Sequence, residues 1–286
     1  MLNGWVSRIL TAVLIIVGLL LVNVPTAATV VRNMSLNQEA LVNISEHPAN
    51  PEVFSQAQNY NKHLTSMPVL DPWLNKIRGT NNNRFTEYLN TFNLDGHGLM
   101  GRLVIPAIGV SLPIYHDSND DVLAQGVGHL FGSHLPIGGA NTTSILTAHS
   151  GLPNATMFDR LPDLKRGDVV HIDYGNGVVH SWKMSSSRVI LPDDVKGLNQ
   201  KAGVDRLLLI TCTPYGVNTH RLVVEADRVP DSEAAVVRGN SLRPAVWELL
   251  PWWVFMIAAA DLIAAIVIVA WLVRRAQRVH KECANN

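Results

Sequence analysis

Cysteine is nearly absent from this chain: there are two in 286 residues, Cys212 and Cys283. That excludes a disulfide framework and a cysteine-rich zinc site. A charge excess is absent as well, since 23 Lys and Arg balance 23 Asp and Glu. No basic field points to a nucleic acid, and no acidic tail points to disorder. The chain has no G-x-S-x-G elbow, no H-E-x-x-H and no P-loop, which removes the serine-hydrolase, metalloprotease and nucleotide-binding readings those motifs carry. It has no internal repeat and no low-complexity tract. Nothing in it calls for a cofactor.

What the chain does have is apolar sequence at both ends. From Ile9 to Val31 no residue is charged, with Arg8 before and Arg32 after. About 20 such residues span a bilayer. The competing reading is a cleaved signal peptide, for which "VPTAATV" offers small residues. A second apolar run, Leu249 to Val273, precedes "RRAQRVHK", a basic cluster that places the C-terminus in the cytoplasm. The expected order is therefore a cytoplasmic N-terminus (1–8), a transmembrane helix (9–31), an external part (32–248), a second transmembrane helix (249–273) and a basic cytoplasmic tail (274–286). Cys283 then lies inside the cell and Cys212 outside, which makes Cys212 an unpaired extracellular thiol. Asp261 interrupts the second run. It reads either as a contact with another span or as a protonated or snorkelling carboxyl in a span apolar enough to absorb it.

The external part changes texture along its length. In 32–66, "SLNQEALVNI" and "PEVFSQAQNYNKHL" suggest two short stalk helices split by "HPANP". Residues 67–98, with two prolines, three consecutive asparagines and late glycines, predict a long irregular loop carrying a helical turn. A loop this long is functional or disordered, and Trp73 inside it argues against disorder. From 99 to 231 come short runs rich in β-branched residues: "GRLVIPAI", "VSLPIY", "TSILTAH", "DVVHIDY", "VVHSWKM", "SRVIL", "RLLLITC" and "HRLVVEADRV". "YGNG" predicts a hairpin turn, and "DVLAQGVG" and "ATMFDRLPDL" predict short helices. The pattern is all-β, a single barrel or sandwich. Residues 232–248 form a linker back to the membrane.

Cys212 ends an apolar run just before Thr-Pro-Tyr-Gly, near a rim and not in mid-core. A buried structural cysteine is the plain alternative. Nucleophilic use needs a proton carrier and an oxyanion stabiliser. Arg221 opens the next run, so adjacent strands would make it a neighbour of Cys212, and a fixed cation there favours thiolate or binds an oxyanion. A surface ion pair is the alternative for Arg221. Among eleven histidines, His149 also ends a strand, while His220 is nearer in sequence but points to the opposite face from Arg221. Spacing leaves both open. His129 and His134 could start a metal site, but no third ligand is evident and satisfied histidines account for them.

"TCTPYGVNTHRLVV" resembles the signature of class C sortases, the pilus-assembling transpeptidases of Gram-positive bacteria. "GRLVIPAIGVSLPIYH", "GVGHLFGSHLPIGG", "ILTAHSGLPNATMFDRL", the "LDPW" of the loop and both apolar ends also match in order and spacing. The resemblance implies a closed sortase-type β-barrel with few helices, a helical stalk and lid, and a transmembrane helix at each end. It implies Cys212 as nucleophile, His149 as acid/base and Arg221 as stabiliser, with no metal and no cofactor. The lid would be Asp71, Pro72 and Trp73, with Asp71 meeting the arginine and Trp73 covering the cysteine. The implied partners are pilins with LPxTG-like sorting signals and the lysine amine of another pilin, at a membrane and without nucleic acid. A housekeeping sortase, a secreted cysteine hydrolase and a non-enzymatic surface barrel are the competing readings. The chain departs from the family pattern at Leu208 (usually Thr), at Ser150 (often Arg) and at Ser133-His134 (usually Thr-Ser).

Overall fold

Eight strands, each starting or ending at a glycine, proline or polar turn, close on themselves in the order β1-β2-β3-β4-β7-β8-β6-β5. In the computed structural model the described residues are 4–64, 83–194, 197–230, 250 and 252–284. The strands are β1 (Leu99–Ile105), β2 (Val110–His116), β3 (Val127–His129), β4 (Thr142–Thr147), β5 (Val169–Asp173), β6 (Val179–Ile190), β7 (Asp205–Thr213) and β8 (His220–Arg228). Most neighbours are antiparallel, but β2 with β3 and β4 with β7 run parallel. Closure leaves no free sheet edge, which is how an all-β chain avoids edge-to-edge pairing. The all-β barrel expected from the sequence is therefore present.

Alternation along the strands divides the apolar residues between two clusters. Leu207, Leu209, Leu222 and Val224 belong to the main core, which also takes Leu103, Ile105, Leu112 and Ile114 from β1 and β2. Leu208, Ile210 and Val223 face the other way and join Ile145, Leu130 and Leu198 in a second, smaller cluster. β4, β7 and β8 are thus buried on both faces, which explains why their sequences are almost continuously apolar.

Several local expectations need correction. The first stalk helix is not separate, because α1 runs unbroken from Gly4 to Glu46. No glycine or proline stands between Thr26 and His47 to stop it, and the face carrying Asn33, Leu36, Ala40 and Ile44 is buried, the spacing of an amphipathic helix. The break does fall at "HPANP". There Asn50 caps α2 (Pro51–His63) by accepting the Val53 N–H at 2.9 Å. "VVHSWKM" and "SRVIL" are one strand, β6, with an irregularity between Met184 and Ser186. "DVLAQGVG" is a one-turn helix α4 (Asp120–Leu123) that runs into β3, a strand too short to show periodicity. "ATMFDRLPDL" forms only a 3-10 turn at Leu161–Asp163. The loop 67–98 contains the helix α3 (Asn83–Asn90). Asp71, Pro72 and Trp73 lie outside the described residues.

The chain divides into two units, residues 30–249 and a second formed by 1–29 with 250–286. In the second unit α5 (Trp252–Ala284) contains the stretch Trp253–Trp271. Among the described residues this is the one helix long and apolar enough to cross a membrane. The expected pair of spans is thus reduced to one, at the C-terminal end. Asp261 lies within it.

α3 is docked by its one buried residue, Tyr88. The phenol donates to the His129 carbonyl (2.8 Å), lies 3.0 Å from His129 Nδ1 and accepts the Asp117 N–H (2.9 Å). His129 is fully buried, and its Nε2 meets the His134 carbonyl at 2.8 Å. These are protein partners on both ring nitrogens, so the His129–His134 pair is accounted for without a metal. Burial pushes the ring down to about 3, whereas in the unfolded chain it takes a proton below about 6.5. Falling pH therefore favours the unfolded chain across that window, by up to about 1.4 kcal/mol per pH unit. His116, which burial also pushes down, acts in the same direction. Thermal melts from neutral to mildly acidic pH should show a steady loss of stability. His129→Gln should lower the neutral-pH midpoint but flatten that slope.

Candidate active site

β7 is the middle strand of the site. On one side it pairs with β8, and Cys212 stands directly opposite Arg221. On the other side it runs parallel to β4, with Thr147 opposite Ile210. The chain stays alongside β7 after β4 ends. The Ala148 N–H donates to the Ile210 carbonyl (3.3 Å), Thr211 Oγ1 to the Ala148 carbonyl (2.8 Å), and Ser150 Oγ to the Cys212 carbonyl (3.2 Å). These bonds hold residues 148–150 beside residues 210–212, so His149 runs alongside the end of the strand that carries Cys212. The three residues singled out from the sequence share one end of three neighbouring strands. His220 is opposite Thr213 in the register and off the face that Cys212 and Arg221 share.

By the same alternation Cys212 belongs to the face of Leu208 and Ile210, and Arg221 to the face of Val223 and Glu225. The floor leading to the thiol is thus the smaller apolar cluster. Leu208, where threonine was the expectation, is fully buried in it. The β6–β7 connection is laced over this floor. Arg206 donates to Glu225 Oε1 (3.0 Å), to Thr143 Oγ1 (3.0 Å), and to the carbonyls of Gly197 (3.0 Å) and Asn199. Arg188 holds the other oxygen of Glu225 (3.2 Å). Those two guanidiniums keep Glu225 below the usual carboxylate range although burial opposes them.

Cys212 is 8% exposed and Arg221 7%. The Arg221 guanidinium is oriented by its own loop: Nη1 donates to the carbonyls of Asn218 and His220, both at 3.1 Å. His149 is half-buried. Burial pushes its ring below 6.5, and the Asp120 carboxylate of α4 partly opposes this. The ring is consequently neutral at pH 7 and able to take a proton. No group of three or more His, Cys, Asp or Glu that could hold a metal ion occurs among the described residues. Sequence reasoning missed Ser150, noted only as a departure from a pattern, yet its hydroxyl ties the His149 turn to β7. It also missed Asp159, which accepts the Gly151 N–H at 2.7 Å.

A family model described as the Sortase domain matches residues 103–229. Sortase C-1 of Actinomyces oris is 45% identical, with 97% of that chain and 63% of this one superposed at a TM-score of 0.59. The chain belongs to the sortase family. Sortase C of Streptococcus pneumoniae, described for its pilin substrate specificity, is 35% identical over 87% of its length and 63% of this chain, with a TM-score of 0.57. Sortase A of Bacillus anthracis is 26% identical over 48% of this chain. The chain spans 63% of the length of that relative. Class C sortases are thus among the structures this sortase resembles.

Proposed function

We propose that this sortase is a membrane-anchored transpeptidase that polymerises pilins. The observation that supports the reading is the β4–β7–β8 arrangement, with Cys212 opposite Arg221 and the chain continuing from β4 through His149 alongside β7. The Cys212 sulfur attacks the threonine carbonyl of an LPxTG-like sorting signal, and His149 takes the thiol proton. Arg221 holds the resulting oxyanion. The C–N bond to glycine breaks as His149 returns the proton to the leaving amine. This leaves a thioester on Cys212. A lysine amine of another pilin attacks that thioester, its proton passes to His149, and the thiol is restored as the new amide forms.

The apolar helix Trp253–Trp271 and the basic cluster that follows it support anchoring by the C-terminal span, with the barrel outside and the C-terminus in the cytoplasm. Substrate and enzyme held at one membrane meet at raised effective concentration. Resemblance of "LDPW" to the class C lid supports a role for Asp71, Pro72 and Trp73 in shielding the thiol from water and oxidants. Asp71→Ala or Trp73→Ala is then expected to speed alkylation of Cys212 by a small reagent several-fold while the barrel melts at an unchanged temperature. Equal labelling rates would remove the lid from the proposal.

Incubation with purified pilin tests the function itself: covalent ladders are expected from a pilus sortase. A housekeeping sortase would capture the sorting peptide as a thioester without ladders, and a hydrolase would release the free acid whether or not an amine is present. Failure of every sorting peptide to acylate Cys212, with the lid residues replaced, would overturn the assignment.

A further inference from the structure

His149 lies two residues past the end of β4, where the strand ladder no longer fixes the chain. The turn that carries it leads through the exposed Pro153 and Asn154, between Leu152, packed against the main core, and Ala155, buried in it. Its restraint comes from the segment that returns beneath it. The His149 carbonyl accepts the Phe158 N–H at 3.0 Å. The Gly151 N–H donates to Asp159 Oδ1 at 2.7 Å. In the same segment the Thr156 N–H donates to Asn33 Oδ1 of α1 at 3.1 Å. Phe158 is fully buried and Asn33 is 8% exposed, so the segment is anchored at both places.

The turn is held from its other side too. Ser150 Oγ bonds the Cys212 carbonyl. Gly151, at φ +82°, brings its backbone so near the β7–β8 loop that a Cβ there would lie 3.2 Å from the Gly216 nitrogen. The imidazole is therefore carried on a turn pressed between the nucleophile's loop and a strut that begins on the N-terminal helix.

We propose that Asn33 and Asp159 are positioning residues for His149, and that α1 reaches the active site through them. Neither touches the reacting atoms. Each supplies an oxygen acceptor to one backbone N–H, and together they fix where the turn sits. Burial pushes the Asp159 carboxyl up to about 6 while the Gly151 N–H pulls it back, so at neutral pH the bond to that N–H is charge-assisted. The neighbouring Arg32 donates to the Ala124 carbonyl just past α4 at 3.2 Å, so two consecutive α1 residues bind loops on the His149 side. A proton carrier displaced by about 1 Å forfeits on the order of 100-fold in rate, which is why such distant acceptors matter.

The inference rests on the reading of His149 as acid/base, and the test separates the two. Full-length enzyme in detergent micelles is assayed on a quenched fluorescent Leu-Pro-Ala-Thr-Gly peptide with an Nα-acetyl-lysine acceptor. Asn33→Ala and Asp159→Ala are expected to lower kcat about 10-fold, within the range of a partial misplacement, with KM changed less than about twofold. Asn33→Asp and Asp159→Asn keep an acceptor oxygen in place and should return kcat to near the starting value. The 13Cε1 resonance of His149 should shift or broaden in both alanine variants and stay put in both conservative ones, a readout that holds even where the peptide is poorly turned over. Unchanged kcat and an unmoved resonance in the alanine variants overturn the strut, as do conservative variants that fail as badly as alanine. His149→Ala that remains active overturns the acid/base reading itself. His149→Ala inactive with Asn33→Ala unaffected overturns the strut alone.

Discussion

Cys212→Ala should abolish acyl transfer, by at least about 10⁴-fold, and leave the barrel folded. The size follows from the role, because only this sulfur bonds to substrate, and loss of a covalent nucleophile leaves the modest catalysis that binding and oxyanion stabilisation supply. The intact fold follows from the position. Cys212 sits one residue from the end of β7, its backbone already paired to β8 and bonded by Ser150. Removing one sulfur from a site 8% exposed costs on the order of 1 kcal/mol. Peptide turnover and a circular-dichroism melt on the same sample measure both halves. Cys212→Ser sharpens the test, since serine nearly preserves the shape but is a far weaker nucleophile at neutral pH. Serine should be almost as inactive as alanine. A non-enzymatic surface barrel predicts no change in any activity for either variant.

How much of this could be read in advance depended on the range of the forces involved. The barrel was legible because β-branched runs and turn residues are local signals, and "YGNG" marked its hairpin correctly, with Tyr174 and Val178 paired across it. Placing Cys212 opposite Arg221 was legible because one short loop joins their strands. His149 was harder. It reaches Cys212 through a parallel β4–β7 pairing, and nothing local in "SILTAH" names a strand some sixty residues away as its partner. The errors have the same origin. α1 stays helical past Arg32 because a buried face on the barrel rewards it, whereas a stalk read alone offers no such reason to continue. β3 is held as a strand by β2 and β4 on either side, and its three residues carry no period of their own. "ATMFDRLPDL" has helical composition, but Phe158 and Asp159 are committed to the His149 turn and Thr156 to Asn33 of α1, and those contacts outside the segment override the local preference.

Arg221→Ala is expected to cost about 10² to 10³ in kcat, the range for losing one preorganised oxyanion donor, and Arg221→Lys should recover little of it. The geometry explains the second half. Two carbonyls, of Asn218 and His220, take hydrogen bonds from the same guanidinium nitrogen, which fixes the plane of the group beside Cys212. A planar fork with five donors can be held from one side and still present N–H groups on another. A lysine ammonium is a single point on a flexible stem. If it bonds the loop carbonyls it cannot also sit at the oxyanion, and if it reaches the oxyanion it gives up the anchor. Stability should change little, because Asn218 is exposed and His220 half-exposed, so water can replace the guanidinium at both carbonyls. The pH profile separates this role from that of His149. Arginine stays charged across the working range, so Arg221→Ala should lower activity by the same factor at every pH and leave the acid limb where it was. That limb belongs to the His149 ring, which burial pushes below 6.5 and Asp120 partly restores. Asp120→Asn should therefore shift the limb further towards acid while the plateau stays close to its original height. An Arg221→Ala variant whose acid limb moves instead would mean that the guanidinium acts by setting the charge of the Cys212–His149 pair and not by holding the oxyanion.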